Sequence, residues 1–364
     1  KSLLIADQKE YIASITGLIL NVVSYLAIIL LVTWEQNYLL ALGIGTVTEV
    51  VLNIWISWYV EQKYPFLRQR RKEKSTSSLT KRIVRDLKSL FISRISEKML
   101  YCTDNLIISG FIGVGTVGRY ANYCMITQAI SNILTILANT IQPTVGDYFT
   151  EKNRQRNYEI LRQLTFGFFC IASVVSVGLF SLITPFVRDI WLGPSYELGW
   201  GITVFCIVVL LVRIMGLPLS LVMGVTGLFE KEKNVGASSA LLNLIVSLAL
   251  VKPYGMAGVL LGTLLSYLLQ ILYRYIIYFR DFLEMPGEAL RYAQDIGEYL
   301  AVIAGEVLLM QKIVPLIYGA GGMLLFCVCF LLCIAIPLLL DLVIFGRGWR
   351  LQSIVTMVKG MRKA

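Results

Sequence analysis

Arg94, Glu97, Lys98, Asp104 and Asn105 fall inside a window from Leu87 to Ile112 that otherwise reads as a hydrocarbon-spanning helix. Each central charge costs ~2.5 to 3.5 kcal/mol on the insertion scale, so a helix carrying four of them needs protein neighbours or water. Arg94, Lys98, Tyr101 and Asn105 follow i, i+4, i+7, i+11 spacing, with Glu97 and Asp104 on the same arc. Phe91, Ile95, Met99, Cys102 and Leu106 form the opposing apolar stripe. Two chemistries fit this face. One is ion-pair glue, Glu97 with Lys98 or Arg94, and the other is a substrate or ion pathway.

The next apolar window repeats the pattern without charge, because Gln128, Asn132, Thr135, Asn139 and Gln142 lie on one helical stripe. Interhelical hydrogen bonding and the lining of an aqueous cavity both account for it. Arg213 lies within a later window and is followed by Gly216 and Pro218, a combination that suits a bent helix carrying a buried cation. A cation held by backbone carbonyls or an acidic partner fits there equally. Thr263, Ser266, Tyr267 and Gln270 add a weaker polar face, of a kind more often used in packing than in ligand contact. Arg94, Lys98 and Arg213 outnumber Glu97 and Asp104, a balance that mildly favours an anionic substrate such as a diphosphate.

The elements that must position these residues are membrane spans. Of the 364 residues, 57% are hydrophobic and only 15% charged, more apolar surface than a soluble core can bury. About ten windows are long enough to cross hydrocarbon: Tyr11 to Trp34, Tyr38 to Tyr59, Leu87 to Ile112, Tyr120 to Gln142, Leu164 to Val187, Gly199 to Met223, Ala237 to Val251, Met256 to Ile277, Tyr299 to Ile317 and Met323 to Phe345. The fold class expected is all-α, a polytopic transmembrane helical bundle. Most of the 33 Lys and Arg residues fall in alternate connections, above all between Lys63 and Lys88, which predicts that both termini are cytoplasmic. The basic segment from Glu61 to Asp86 reads as a solvated linker that touches anionic lipid.

Several classes are disfavoured. The absence of histidine removes imidazole metal sites, His-based acid–base pairs and Ser-His triads. There is no Walker loop and no dinucleotide fingerprint, so no cofactor is expected. The net charge of +10 sits in short connections between apolar spans, which is membrane topology rather than nucleic-acid binding. The seven cysteines lie in apolar windows without a CxxC pair and are expected to be reduced. The polar stretch from Lys1 to Glu10 leads to the expectation that no signal peptide precedes the first span, and the chain opening on Lys1 suggests an incomplete protein.

Asp104-Asn105-Leu106-Ile107-Ile108-Ser109, followed by Val117-Gly118-Arg119-Tyr120-Ala121-Asn122-Tyr123, resembles the polysaccharide repeat-unit flippases of the multidrug/oligosaccharidyl-lipid/polysaccharide exporter superfamily. Ile141-Gln142-Pro143-Thr144-Val145-Gly146-Asp147 and Ala6-Asp7-Gln8-Lys9-Glu10-Tyr11-Ile12 extend the resemblance. It implies two helical lobes around a central cavity, with the first lobe incomplete. Residues 1–60 would be the last two helices of the first lobe, 61–86 the cytoplasmic linker, 87–280 the six-helix second lobe, and 281–364 two further helices and a basic tail. It also implies export of undecaprenyl-diphosphate oligosaccharides across a bacterial cytoplasmic membrane, for capsule, exopolysaccharide or O-antigen. On that basis Arg94, Lys98 and Arg213 would attract the diphosphate or acidic sugars, and Tyr101 and Asn105 would share their cavity face. Gln128, Asn132 and Asn139 would bond sugar hydroxyls, while Glu97 and Asp104 would pair with cations or couple to protons or sodium. Membrane lipids, a polysaccharide polymerase and glycosyltransferases are the expected partners. The competing readings are a cation-coupled multidrug antiporter of the same superfamily and, from another class, a membrane-embedded polysaccharide polymerase or glycosyltransferase. The short loops lack the catalytic constellation that the latter needs.

Overall fold

In hydrocarbon a polar group must find its partner within the protein, and the helices of this chain meet that demand locally first. Thr16, Thr46 and Thr48 each donate to the carbonyl four residues back at 2.9 to 3.0 Å, as does Thr140 at 2.8 Å. A computed structural model describes residues 4, 10–35, 38–65, 102–149, 153–226, 228–319 and 321–346. All the long elements among them are α-helices: α1 (Glu10–Glu35), α2 (Tyr38–Lys63), α3 (residues 102–111), α4 (Val114–Phe149), α5 (Arg154–Pro185), α6 (Trp200–Thr226), α7 (Phe229–Tyr254), α8 (Met256–Ile276), α9 (Pro286–Tyr318) and α10 (Met323–Phe345). Nine helices among the described residues are long and apolar enough to cross a membrane. The tenth expected span, Leu87 to Ile112, is described only over its last part, as α3. The protein is thus an all-α, multi-pass membrane protein.

The chain divides into two compact units, Lys1–Thr80 and Lys81–Ala364. In the first, α1 packs on α2 through Ala13, Ile56 and Val60, with Trp55 stacked on Tyr59 at 5.4 Å. The outward faces of this pair, including Leu18, Ile29 and Ile54, are apolar and exposed, as a lipid-facing surface requires.

In the second unit α6 is central, packing against α4, α5 and α8, while α7 lies on α8 and α9 and α10 both lie on α5. Phe169 stacks on Tyr299 at 4.4 Å, and the Phe345 ring meets the two edge-on at 5.5 and 5.7 Å, which joins α5, α9 and α10. At one end of this unit the fully buried Tyr123 accepts the Leu198 N–H at 3.2 Å, and the Tyr318 hydroxyl donates to Asp189 at 3.1 Å. At the other end Tyr278 donates to the Asn157 carbonyl at 3.2 Å and Tyr275 to the Ala289 carbonyl at 2.7 Å. All seven cysteines are free thiols.

Several helices run well past their apolar windows. α5 begins at Arg154 rather than Leu164, α9 at Pro286 rather than Tyr299, and α4 continues through Pro143 to Phe149. The 33 residues of α9 span ~50 Å at 1.5 Å per residue, against ~30 Å of hydrocarbon. A hydropathy window registers only the lipid-embedded part, whereas the polar first turns remain helical because Asn153 caps α5 and Pro286 starts α9.

The tightest packing joins α7 to α8. Gly255 reverses the chain between them with φ +58°, a conformation that costs a side-chain-bearing residue more. A Cβ at Gly262 would overlap the Ser247 hydroxyl, and one at Gly258 the Leu250 carbonyl. Gly262→Val is therefore expected to cost about 1 to 3 kcal/mol and to lower the unfolding temperature of the detergent-solubilised protein. Gly167→Ala, which meets nothing within 4 Å, should leave that temperature unchanged.

Candidate functional site

α7 carries Ser239, Asn243 and Ser247 at four-residue spacing, all fully buried. α8 presents Gly258, Gly262 and Ser266 at the same spacing, with Val259 and Thr263 one step round the helix. Small residues at this spacing let two backbones approach closely. The approach brings the Ser247 hydroxyl to the Val259 carbonyl at 3.2 Å and the Asn243 amide to the Thr263 hydroxyl at 2.9 Å.

Asp104 of α3 enters this junction from the side and is 4% exposed. The Thr263 hydroxyl donates to one carboxylate oxygen at 2.7 Å, and the Asn243 amide approaches the other at 3.4 Å. Thr263 also lies 3.4 Å from the Val259 carbonyl, but its single proton goes to the shorter and charged acceptor. Asn243 Oδ1 has no hydrogen-bond partner. A half-turn of that amide, whose two ends are nearly the same size, exchanges Nδ2 for Oδ1 at the junction. Oxygens of Asp104, Asn243 and Thr263 then converge, with the Val259 carbonyl and Ser247 hydroxyl beside them. An all-oxygen set with one formal charge suits a hard monovalent cation better than a soft transition metal.

Arg213 of α6 stands over the Tyr267 ring at 6.0 Å, one turn along α8 from Thr263. The third-span anion and the sixth-span cation thus both engage α8, on residues first read as packing. Asn105 is exposed next to the buried Asp104. On α4, Asn132, Thr135 and Asn139 are exposed, whereas Ser131, Leu134 and Ala138 are buried. Gln128 donates to Asn132 within the same helix at 3.1 Å. The polar stripe therefore lies about a quarter-turn round the helix from the face that α4 buries. Arg94, Glu97, Lys98 and Tyr101, and with them the ion-pair reading of Glu97, fall outside the described residues.

Sequence reasoning passed over Asn243 and Ser247, although their spacing, repeated by the small residues of α8, is a signal for close helix packing. It also passed over the Arg162–Asp295 pair, bidentate at 2.6 and 3.0 Å, and the buried acids Glu306 and Asp341. An isolated acid inside an apolar window was the available sign for the last two.

The fold defines the class: a multi-pass helical membrane protein whose second unit encloses a buried polar junction. Residues 3–149 match the family described as polysaccharide biosynthesis protein, in agreement with the resemblance carried by the Asp104 to Asp147 motifs. Among solved structures the chain is similar to the lipid II flippase MurJ in its inward closed conformation, with a TM-score of 0.64 and 16% identity, over 95% of this chain and 70% of that one. No curated protein matches the chain.

Thr263→Val keeps the shape of the side chain but removes its proton from Asp104. It is expected to destabilise the protein by about 1 to 3 kcal/mol in detergent thermal unfolding, and Thr263→Ser should restore most of the loss.

Proposed function

We propose that this chain is a flippase that moves undecaprenyl-diphosphate-linked oligosaccharide repeat units across the bacterial cytoplasmic membrane for surface polysaccharide assembly. The observation that carries this reading is the match of residues 3–149 to a polysaccharide biosynthesis family in a chain whose fold is that of a lipid II flippase. Polysaccharide biosynthesis in the one and a lipid II flippase in the other support a lipid-linked saccharide as the substrate class.

In this reading residues 1–60 are the last helices of a first lobe, 61–86 a cytoplasmic linker and 87–280 the second lobe, followed by two additional helices and a basic tail. Both termini face the cytoplasm. The stripe Gln128, Asn132 and Asn139, with Asn105 nearby in sequence, bonds sugar hydroxyls. Arg94, Lys98 and Arg213 attract the diphosphate, with Tyr101 at the same helical spacing in the sequence as Arg94 and Lys98. Asp104, with Glu97 on the same arc, serves coupling: a monovalent cation held by Asp104, Asn243 and Thr263 ties α3 to the α7–α8 pair. Cation release frees α3 to move against that pair, which is the differential contact that alternating access requires. No bond of the substrate is made or broken, so the protein is a transporter rather than an enzyme. A polysaccharide polymerase and glycosyltransferases act before and after it.

Deletion of the gene is expected to abolish surface polymer and trap the lipid-linked repeat unit on the cytoplasmic leaflet, and the intact gene should restore both. Complementation with Asp104→Asn should lower polymer export on the order of tenfold, the size of a 1 to 3 kcal/mol coupling. Unchanged polymer together with altered dye efflux would replace the flippase reading with the drug-antiporter one.

A further inference from the structure

α5 and α9 lie side by side in a fixed register. Arg162 donates to Asp295 at 2.6 Å and Ser173 donates to Glu306 at 2.6 Å, and both pairs are 133 residues apart in sequence. The eleven residues between the two rungs make about three turns, or ~16 Å. The second rung therefore sits within the apolar length of both helices. α10 packs on the same α5 with Phe345 against Phe169 at 5.5 Å, and Asp341, one turn from Phe345, therefore comes alongside Ser173, one turn from Phe169.

Glu306 and Asp341 are each 3% exposed. Ser173 has one proton to give, and Glu306 takes it. Glu306 Oε1 and both Asp341 oxygens are left without a hydrogen-bond partner. Buried polar atoms are almost always partnered, so three bare carboxyl oxygens in one place call for a missing donor. Beside Ser173, whose proton goes to Glu306, the groups near the pair include the Cys170 thiol on α5, only a weak donor, and the two acids themselves on α9 and α10. Tyr299, two turns back on α9, is stacked on Phe169, and Arg162 is bonded to Asp295 beside the Tyr158 ring.

Two carboxylates enclosed together repel one another and both lose hydration. A single proton relieves both costs, because the carboxyl that carries it becomes a donor to the other. We propose that Glu306 and Asp341 form a shared-proton dyad, a second ion-binding site distinct from the Asp104 junction, whose ligand is one exchangeable proton. On release the O–H bond breaks, its electron pair stays on the carboxylate and the proton passes to water. The dyad joins α5, α9 and α10 when protonated and pushes α9 and α10 apart when both acids are charged. This inference is independent of what the protein transports.

The test is a pH-difference infrared spectrum of the purified full chain in nanodiscs, compared with the E306Q/D341N variant. The wild type is expected to show one protonated-carboxyl band that is lost as the pH rises, is absent from the variant and is unchanged by sodium. A spectrum identical in the two proteins would overturn the proposal. So would a wild-type band that never titrates, or one that sodium displaces. If the double variant does not fold, carbodiimide labelling of the wild type reads the same property. An adduct on Glu306 or Asp341 that fades at alkaline pH supports the dyad, and a pH-independent or sodium-protected reaction contradicts it.

Discussion

A carboxylate enclosed in a bundle whose outside is hydrocarbon has no water to turn to, and Asp104 meets that constraint with two helices at once. Thr263 of α8 and Asn243 of α7 reach it only because Gly258 and Gly262 let those helices touch backbone to backbone. The small residues, the one-residue reversal at Gly255 and the buried acid are thus parts of one arrangement. An enlarged side chain at the α7–α8 seam would loosen the donors, and loss of the donors would leave a costly bare charge.

The same constraint recurs with other solutions. Arg162 and Asp295 pair where α5 and α9 leave the apolar layer, and a bidentate geometry satisfies both ends of the bridge. Threonines in α1, α2 and α4 bond their own helix, which lets polar side chains exist on faces with no helical neighbour. Glu306 and Asp341 receive only one donor between them. Among the sites that the packing leaves incompletely satisfied, Asn243 and this acid pair are those where small cations would act.

Much of the architecture was legible in the sequence because lipid imposes a length and a composition on each span. Hydropathy located the spans, while the first turns of α5 and α9 escaped it because they are polar and extend beyond the lipid. Helical periodicity identified the α4 stripe and put Asp104 on a polar arc. It did not find Asn243, because Ser, Asn and Gly at four-residue spacing look unremarkable until the facing helix is known. Glu306 and Asp341 offered only a partial sign: each stands as an isolated acid in an apolar window, and only the packing of α5 against α9 and α10 makes them a pair.

The central claim is that this chain moves a lipid-linked oligosaccharide and that Asp104 couples the movement to a cation. The direct measurement is translocation of a dye-labelled, diphosphate-linked oligosaccharide lipid in proteoliposomes, read by protection from a membrane-impermeant quencher with and without a sodium gradient. The account predicts protein-dependent translocation that the gradient accelerates, and that Asp104→Asn binds the lipid but no longer responds to the gradient. Translocation no faster than in empty vesicles, or an unchanged gradient response in Asp104→Asn, would contradict it.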